Sequence, residues 1–219
     1  MPAFSSLPIP DLLRAATDLY TNARDDAEAF AVLSADPWAF TAEDFDAGLA
    51  LVKAVRDFQK AEVKEELESQ EATDAYDAAV DAVRKVYLRH RGAVRRRHGR
   101  GTPVYSALGL AGDAPDDRED LLSDAADFYA GLADRPDVVA ETRGLTEASV
   151  VEAEALMAEA VDKGADQTRE SGDVDRVSAQ RQDAVVALRR HASLTAADAK
   201  AALADHPQLQ ERLGLLDRS

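Results

Sequence analysis

The chain has no cysteine and few aromatic residues, and these shortages limit both its chemistry and its core. Without cysteine, disulfides, thiolate catalysis and cysteine-ligated zinc are excluded. Only 5% of the 219 residues are aromatic, so the core has to be built mainly from alanine, leucine and valine. A composition rich in alanine and leucine favours helices. The sequence therefore predicts a largely helical protein.

Long hydrophobic runs are also missing. No stretch approaches the roughly 18 apolar residues of a membrane-spanning helix. The opening Met-Pro-Ala-Phe-Ser-Ser-Leu-Pro-Ile-Pro lacks the basic region and the apolar run of a secretory signal. We therefore expect a cytoplasmic protein with no membrane association.

Lysine is scarce, and acidic residues outnumber basic ones. The 42 acidic residues face 26 basic residues, which gives a net charge of −16. An acidic, lysine-poor surface is typical of a protein from a salt-rich cytoplasm, but it also serves ordinary solubility. Hydrophobic residues make up 46% of the chain, which indicates a globular protein rather than a disordered one.

Proline is absent from Thr41 to Arg97, a stretch that opens with a strong helix-start signal. Thr41 is suited to the N-cap, Asp44 lies in the first turn, and Phe40 is placed to pack on Phe45. Residues 59–73 are almost entirely polar. Either one long helix runs through them or a turn near 69–73 joins two antiparallel helices. The lack of glycine, proline and asparagine there favours the continuous helix.

Several sequence blocks occur twice in the same order, which indicates an internal duplication. The closing segments, opened by Pro103 and Pro207, are typical of short helices that stop at a glycine between two leucines. The offset is 105 for the threonine caps and the closing segments and 109 for the first helices. The paired blocks are Asp11–Tyr20 with Asp120–Tyr129, Thr41 with Thr146, and Leu108-Gly109-Leu110 with Leu213-Gly214-Leu215.

The duplication predicts an all-α protein of two tandem helical repeats whose long amphipathic helices form a pseudo-twofold bundle. We expect an irregular lead-in (1–10), a first repeat (11–110), a linker (111–119) and a second repeat (120–219), with the two repeats free to pack as one unit. The first helix is predicted from Asp11 to about Arg24. A non-helical connection is predicted to contain Phe30, Val32, Leu33 and Trp38, and the last long helix is predicted to restart at Thr195.

The chain resembles a group of uncharacterised bacterial all-helical proteins with tandem repeats. The resemblance rests on an aromatic-Tyr block like Phe128-Tyr129, a threonine-capped helix like that at Thr146, and a closing segment similar to 205–215. It covers nearly the whole chain. Its motifs are structural, so it implies a fold and assigns no activity and no site residue.

The most unusual local feature is the basic segment, residues 84–100, which holds eight lysines and arginines and no acidic residue. One interpretation is a basic helix end that complements the helix dipole and pairs with acidic helices. The others are a surface for an acidic protein partner and, less favoured, one for nucleic acid, since Tyr87 is the segment's only aromatic residue. The candidate binding residues are Arg89, Arg91, Arg95, Arg96, Arg97 and Arg100.

No pattern in the sequence indicates catalysis, a cofactor or a metal. None of the four histidines (His90, His98, His191, His206) follows a glutamate by three residues, as carboxylate-bridged metal sites in helical bundles require. The glycines complete no phosphate-binding loop, and the serines lie outside any nucleophile motif. We therefore expect a non-enzymatic structural or protein-interaction protein, with a protein partner or self-association. Polyanion binding through the basic segment is the alternative.

Overall fold

A computed structural model describes residues 4–216 of the chain. It confirms the all-α class, since the described residues form helices and no strand. After a short 3₁₀ turn at Phe4–Ser6, the helices are α1 (Ile9–Asp25), α2 (Ala27–Leu33), α3 (Ala42–Arg97), α4 (Pro103–Ala107), α5 (Arg118–Ala133), α6 (Pro136–Glu141), α7 (Glu147–Ala202) and α8 (Pro207–Arg212). The first three residues of the predicted lead-in and the last three of the predicted second repeat lie outside the described residues.

The two longest helices, α3 and α7, have 56 residues each. The predicted continuous helix through residues 59–73 is confirmed. Side chains one turn apart support this polar stretch; for example, Gln70 Nε2 donates to Asp74 Oδ1 at 2.8 Å. The predicted restart at Thr195 is wrong, because α7 continues through it. The Thr195 hydroxyl, buried within the helix, lies 3.5 Å from His191 Nδ1 one turn earlier instead of capping a new helix.

Both predicted threonine caps form. The backbone N–H of Thr41 donates to Asp44 Oδ2 at 2.8 Å, and the Asp44 N–H donates back to the Thr41 hydroxyl at 3.4 Å. The rings of Phe40 and Phe45 stack with centroids 5.4 Å apart, as the sequence predicted. At the start of α7, Thr146 and Ser149 exchange equivalent bonds. These reciprocal bonds satisfy N–H groups that a helix start leaves without partners.

The two Leu-Gly-Leu segments are helix stops, as predicted. Gly109 has φ +59° and Gly214 has φ +70°, a left-handed conformation that glycine adopts without a steric penalty. The leucine after each glycine donates its N–H five residues back, at 3.1 Å for Leu110 and 2.8 Å for Leu215. This pattern is the Schellman motif, and the leucines that flank both glycines are buried.

Two stretches are more helical than the sequence predicted. The expected connection after the first helix contains α2, because the side chain of Asp26 accepts hydrogen bonds from the N–H groups of Glu28 and Ala29 and so caps a new helix. Helix α1 begins at Ile9, two residues before the predicted start. Pro10 is compatible with this, since the first helical turn needs no N–H from it.

The chain divides into two compact units that do not follow its order. Among the described residues, unit 1 comprises 4–65 and 174–216, and unit 2 comprises 66–173. Each unit therefore contains part of α3 and part of α7. The predicted repeats are consecutive stretches of sequence, whereas the units are defined by packing, so this division does not test the duplication.

Each unit has its own hydrophobic core with a fully buried tyrosine, Tyr20 in unit 1 and Tyr129 in unit 2. Tyr20 packs against Gly48 of α3, where a Cβ atom would lie only 2.4 Å from the tyrosine ring. Each tyrosine ring buries a large area for a single side chain.

Candidate anion-binding cleft at the end of α3

The basic segment forms the last turns of α3 and the turn after it, but its arginines differ widely in environment. Arg91 is 3% exposed and Arg95 is half-buried, whereas Arg89, Arg96, Arg97 and Arg100 are exposed. The helix rotates successive side chains by about 100°, so neighbours in sequence face different surroundings. The six candidates therefore do not form one continuous surface.

Arg91 is bound to the connection that follows the first Leu-Gly-Leu segment. Its guanidinium donates to the carbonyl oxygens of Gly109 (3.2 Å), Ala111 (3.1 Å) and Gly112 (3.3 Å). It also lies 5.9 Å from the centroid of the Tyr87 ring. The planar guanidinium has five N–H donors in a fixed arrangement, so it can hold three carbonyls at once. Arg91 is therefore a structural residue.

The guanidinium groups of Arg95 and Arg100 also interact with other groups of the chain. Arg95 donates to the carbonyl of Gly112 at 3.1 Å. Burial opposes ionisation of the Tyr105 phenol, but hydrogen bonds with Arg100 and Arg95 outweigh it and lower the pKa of Tyr105 below its ordinary value. At the start of the segment, Arg84 donates to the carbonyls of Pro115 and Asp116 at 3.2 and 2.8 Å. Much of the positive charge thus fixes the connection between α4 and α5.

Arg89 is exposed but lies beside a buried histidine. Its guanidinium is 3.5 Å from Nε2 of His90, whose Nδ1 is 3.1 Å from the hydroxyl of Tyr129. Burial, followed by the charge of Arg89, lowers the pKa of His90. In unit 1 the equivalent Tyr20 hydroxyl lies 2.7 Å from His191 Nδ1. Both tyrosines are buried, and the hydroxyl of each contacts a histidine.

Two exposed residues of the segment, Arg96 and Arg97, line a cleft of about 410 Å³ in unit 2. We call it the arginine cleft, and it is lined by Ala93, Arg96, Arg97, Glu141 and Arg143. Three guanidinium groups thus share the cleft with one carboxylate. Glu141 Oε2 lies 3.2 Å from an Nη atom of Arg97, and both side chains are 54% exposed.

Arg143 was not among the residues that the sequence predicted. It occupies a tight turn in which the N–H of Leu145 donates to the Thr142 carbonyl at 3.1 Å, and Gly144 has φ +88°. A positive φ at the second central residue is what a type II turn requires. Thr142 and Leu145 are 2% and 5% exposed, so the ends of the turn are fixed while Arg143 between them is exposed. In the sequence, the Arg143-Gly144 pair could have predicted this turn.

Two arginines of the cleft have all their N–H donors available for a ligand. Within residues 4–216, the guanidinium groups of Arg96 and Arg143 have no ion-pair or hydrogen-bond partner. Arginine binds carboxylates and phosphates through paired N–H donors. The cleft is therefore suited chemically to an oxyanion.

The chain has no match among protein family models, curated proteins or solved structures. Across residues 4–216, none of the helices is both long and apolar enough to cross a membrane.

Proposed function

We propose that this protein is a non-enzymatic helical protein that binds an acidic segment of a protein partner in the arginine cleft. The observation that carries the proposal is the pair of unpartnered, exposed guanidinium groups, Arg96 and Arg143, in one cleft of a chain with net charge −16. A local reversal of sign on an acidic surface attracts negative groups to that place and repels them elsewhere.

Burial of the aromatic residues favours a protein partner over nucleic acid. Single-stranded nucleic acid is usually held by exposed aromatic rings that stack on bases. Tyr87 and Tyr105, the aromatic residues of 84–105, are 1% and 8% exposed. In addition, Arg91 and Arg95 are bound to carbonyls, which leaves a short basic patch rather than a track along α3.

The fold proposal is that the chain is a duplicated helical unit of the tandem-repeat group that it resembles. Support comes from the equal lengths of α3 and α7 and from the Schellman motifs at residues 109 and 214. Further support comes from Tyr20 and Tyr129, each of which contacts a histidine on the long helix of the other predicted repeat. A pseudo-twofold arrangement of the repeats is part of the same proposal.

Fluorescence anisotropy with a labelled octaglutamate peptide tests the proposed function. We expect the wild-type chain to bind the peptide and the double variant Arg96→Gln/Arg143→Gln to bind it about tenfold more weakly, since each lost exposed ion pair is worth about 0.5–1 kcal/mol. The matched control is Arg56→Gln/Arg190→Gln, which removes the same two charges from exposed positions in unit 1.

Either of two results would overturn the proposed function. If Arg96→Gln/Arg143→Gln and the Arg56→Gln/Arg190→Gln control bind the peptide equally, the cleft is not the binding site. If an oligothymidylate of equal charge binds more tightly than octaglutamate and Arg96→Gln/Arg143→Gln abolishes that binding, the cleft serves nucleic acid.

A further inference from the structure

Glu141 is the one acidic residue of the arginine cleft, and its position is set by the core. It is the last residue of α6, whose Val138 and Val139 are buried in unit 2, and it precedes the buried Thr142. The backbone of Glu141 is thus fixed, while its side chain is 54% exposed and can turn away into water. The carboxylate occupies the binding face of Arg97 without being held there by other groups.

The carboxylate of Glu141 is the same chemical group that an acidic partner would bring. A partner carboxylate that contacts Arg97 must displace Glu141, so a single carboxylate exchanges one ion pair for another and gains little. Exposed ion pairs of this kind are weak, which makes the exchange easy. Most of a partner's affinity therefore comes from carboxylates that reach Arg96 or Arg143.

On the basis of the proposed function, we infer that Glu141 is an internal competitor that occupies Arg97 and so lowers the affinity of the cleft for acidic partners. A partner carboxylate reaches Arg97 only by displacing Glu141, whereas Arg96 and Arg143 are open to it.

The variant Glu141→Gln tests the inference, because glutamine keeps the size and hydrogen-bonding capacity of the side chain and removes its charge. We expect it to bind octaglutamate about three- to fivefold more tightly than the wild type, as removal of a weak competing ion pair allows. The matched control is Asp137→Asn, which removes the same charge from an exposed position at the other end of α6.

Competition is separated from simple repulsion by repeating the change in an Arg97→Gln background. If Glu141 acts by occupying Arg97, Glu141→Gln raises the affinity for octaglutamate clearly less in the Arg97→Gln background than in the wild type. An equal increase in both backgrounds would overturn the inference. The inference would also be overturned if Glu141→Gln bound octaglutamate no more tightly than Asp137→Asn. Either outcome leaves the proposed function intact as long as Arg96→Gln/Arg143→Gln still weakens peptide binding, so the two can fail separately.

Discussion

The variant Arg91→Met tests whether the basic segment serves mainly to stabilise the fold. The substitution keeps an unbranched apolar stem of similar length, so it preserves most of the packing along α3 and removes the charged head. The carbonyls of Gly109, Ala111 and Gly112 then lose their shared donor. The effect on stability therefore reports these hydrogen bonds rather than a cavity.

The expected loss follows from the number of bonds and their surroundings. Hydrogen bonds to charged groups contribute about 1.5–3 kcal/mol each, and they are not additive within one group. Because Gly109, Ala111 and Gly112 are exposed residues, water can solvate their carbonyls once the arginine is gone. Removal of the buried charge also relieves a desolvation cost. We therefore expect the free energy of unfolding to fall by about 2–4 kcal/mol in total.

Urea unfolding followed by circular dichroism measures this loss. Fluorescence is unsuitable, since the single tryptophan, Trp38, lies in unit 1 and Arg91 lies in unit 2. The control is Arg96→Met on the same helix, whose exposed side chain should change stability by less than about 0.5 kcal/mol. Equal urea midpoints for the two variants would refute the structural role of Arg91. Arg91 would then again be a candidate binding residue.

Two further predictions concern stability. Burial and Arg89 lower the pKa of His90, so the folded state disfavours the protonated ring; its contribution to stability is present above pH 6.5 and is lost as the pH falls below that value. Urea midpoints measured across this range should fall less for His90→Gln than for the wild type, and parallel curves would contradict this. Ala39 has φ +49°, which is unfavourable for a residue with a Cβ atom. Ala39→Gly should raise the free energy of unfolding by about 0.5–1 kcal/mol despite the extra freedom of glycine in the unfolded chain, and a lower thermal midpoint would argue against strain at this position.

Local signals predicted the ends of most helices because caps and stops depend on residues close in sequence. Thr41 and Asp44 are three positions apart, and Gly109 ends its helix through bonds to residues a few positions back. The signal for α2 was equally local, because Asp26 before an alanine-rich run is a capping pattern. The error at Thr195 has the opposite origin, since a capping pattern there is overridden by the continuing helix and its core contacts.

The site was less predictable because it is assembled from distant parts of the sequence. The composition of residues 84–100 correctly marked an unusual segment, but it could not show which arginines face the chain's own carbonyls. Arg97 and Glu141 are 44 positions apart in sequence and lie together only because their helices contribute to the same core in unit 2. Arg143 stands alone in sequence between a threonine and a glycine, so no charge pattern indicated it.

The interleaved make-up of the two units has a consequence for the order in which the protein can form during synthesis. Unit 2 is one uninterrupted stretch that is complete once residue 173 has left the ribosome. Unit 1 begins with the first part of the chain but lacks residues from 174 onward, including Leu188, Leu203 and Leu209 of its core. The apolar faces of its N-terminal helices therefore stay exposed until residues 174–216 have been synthesised. Unit 1 begins before unit 2 and is completed after it.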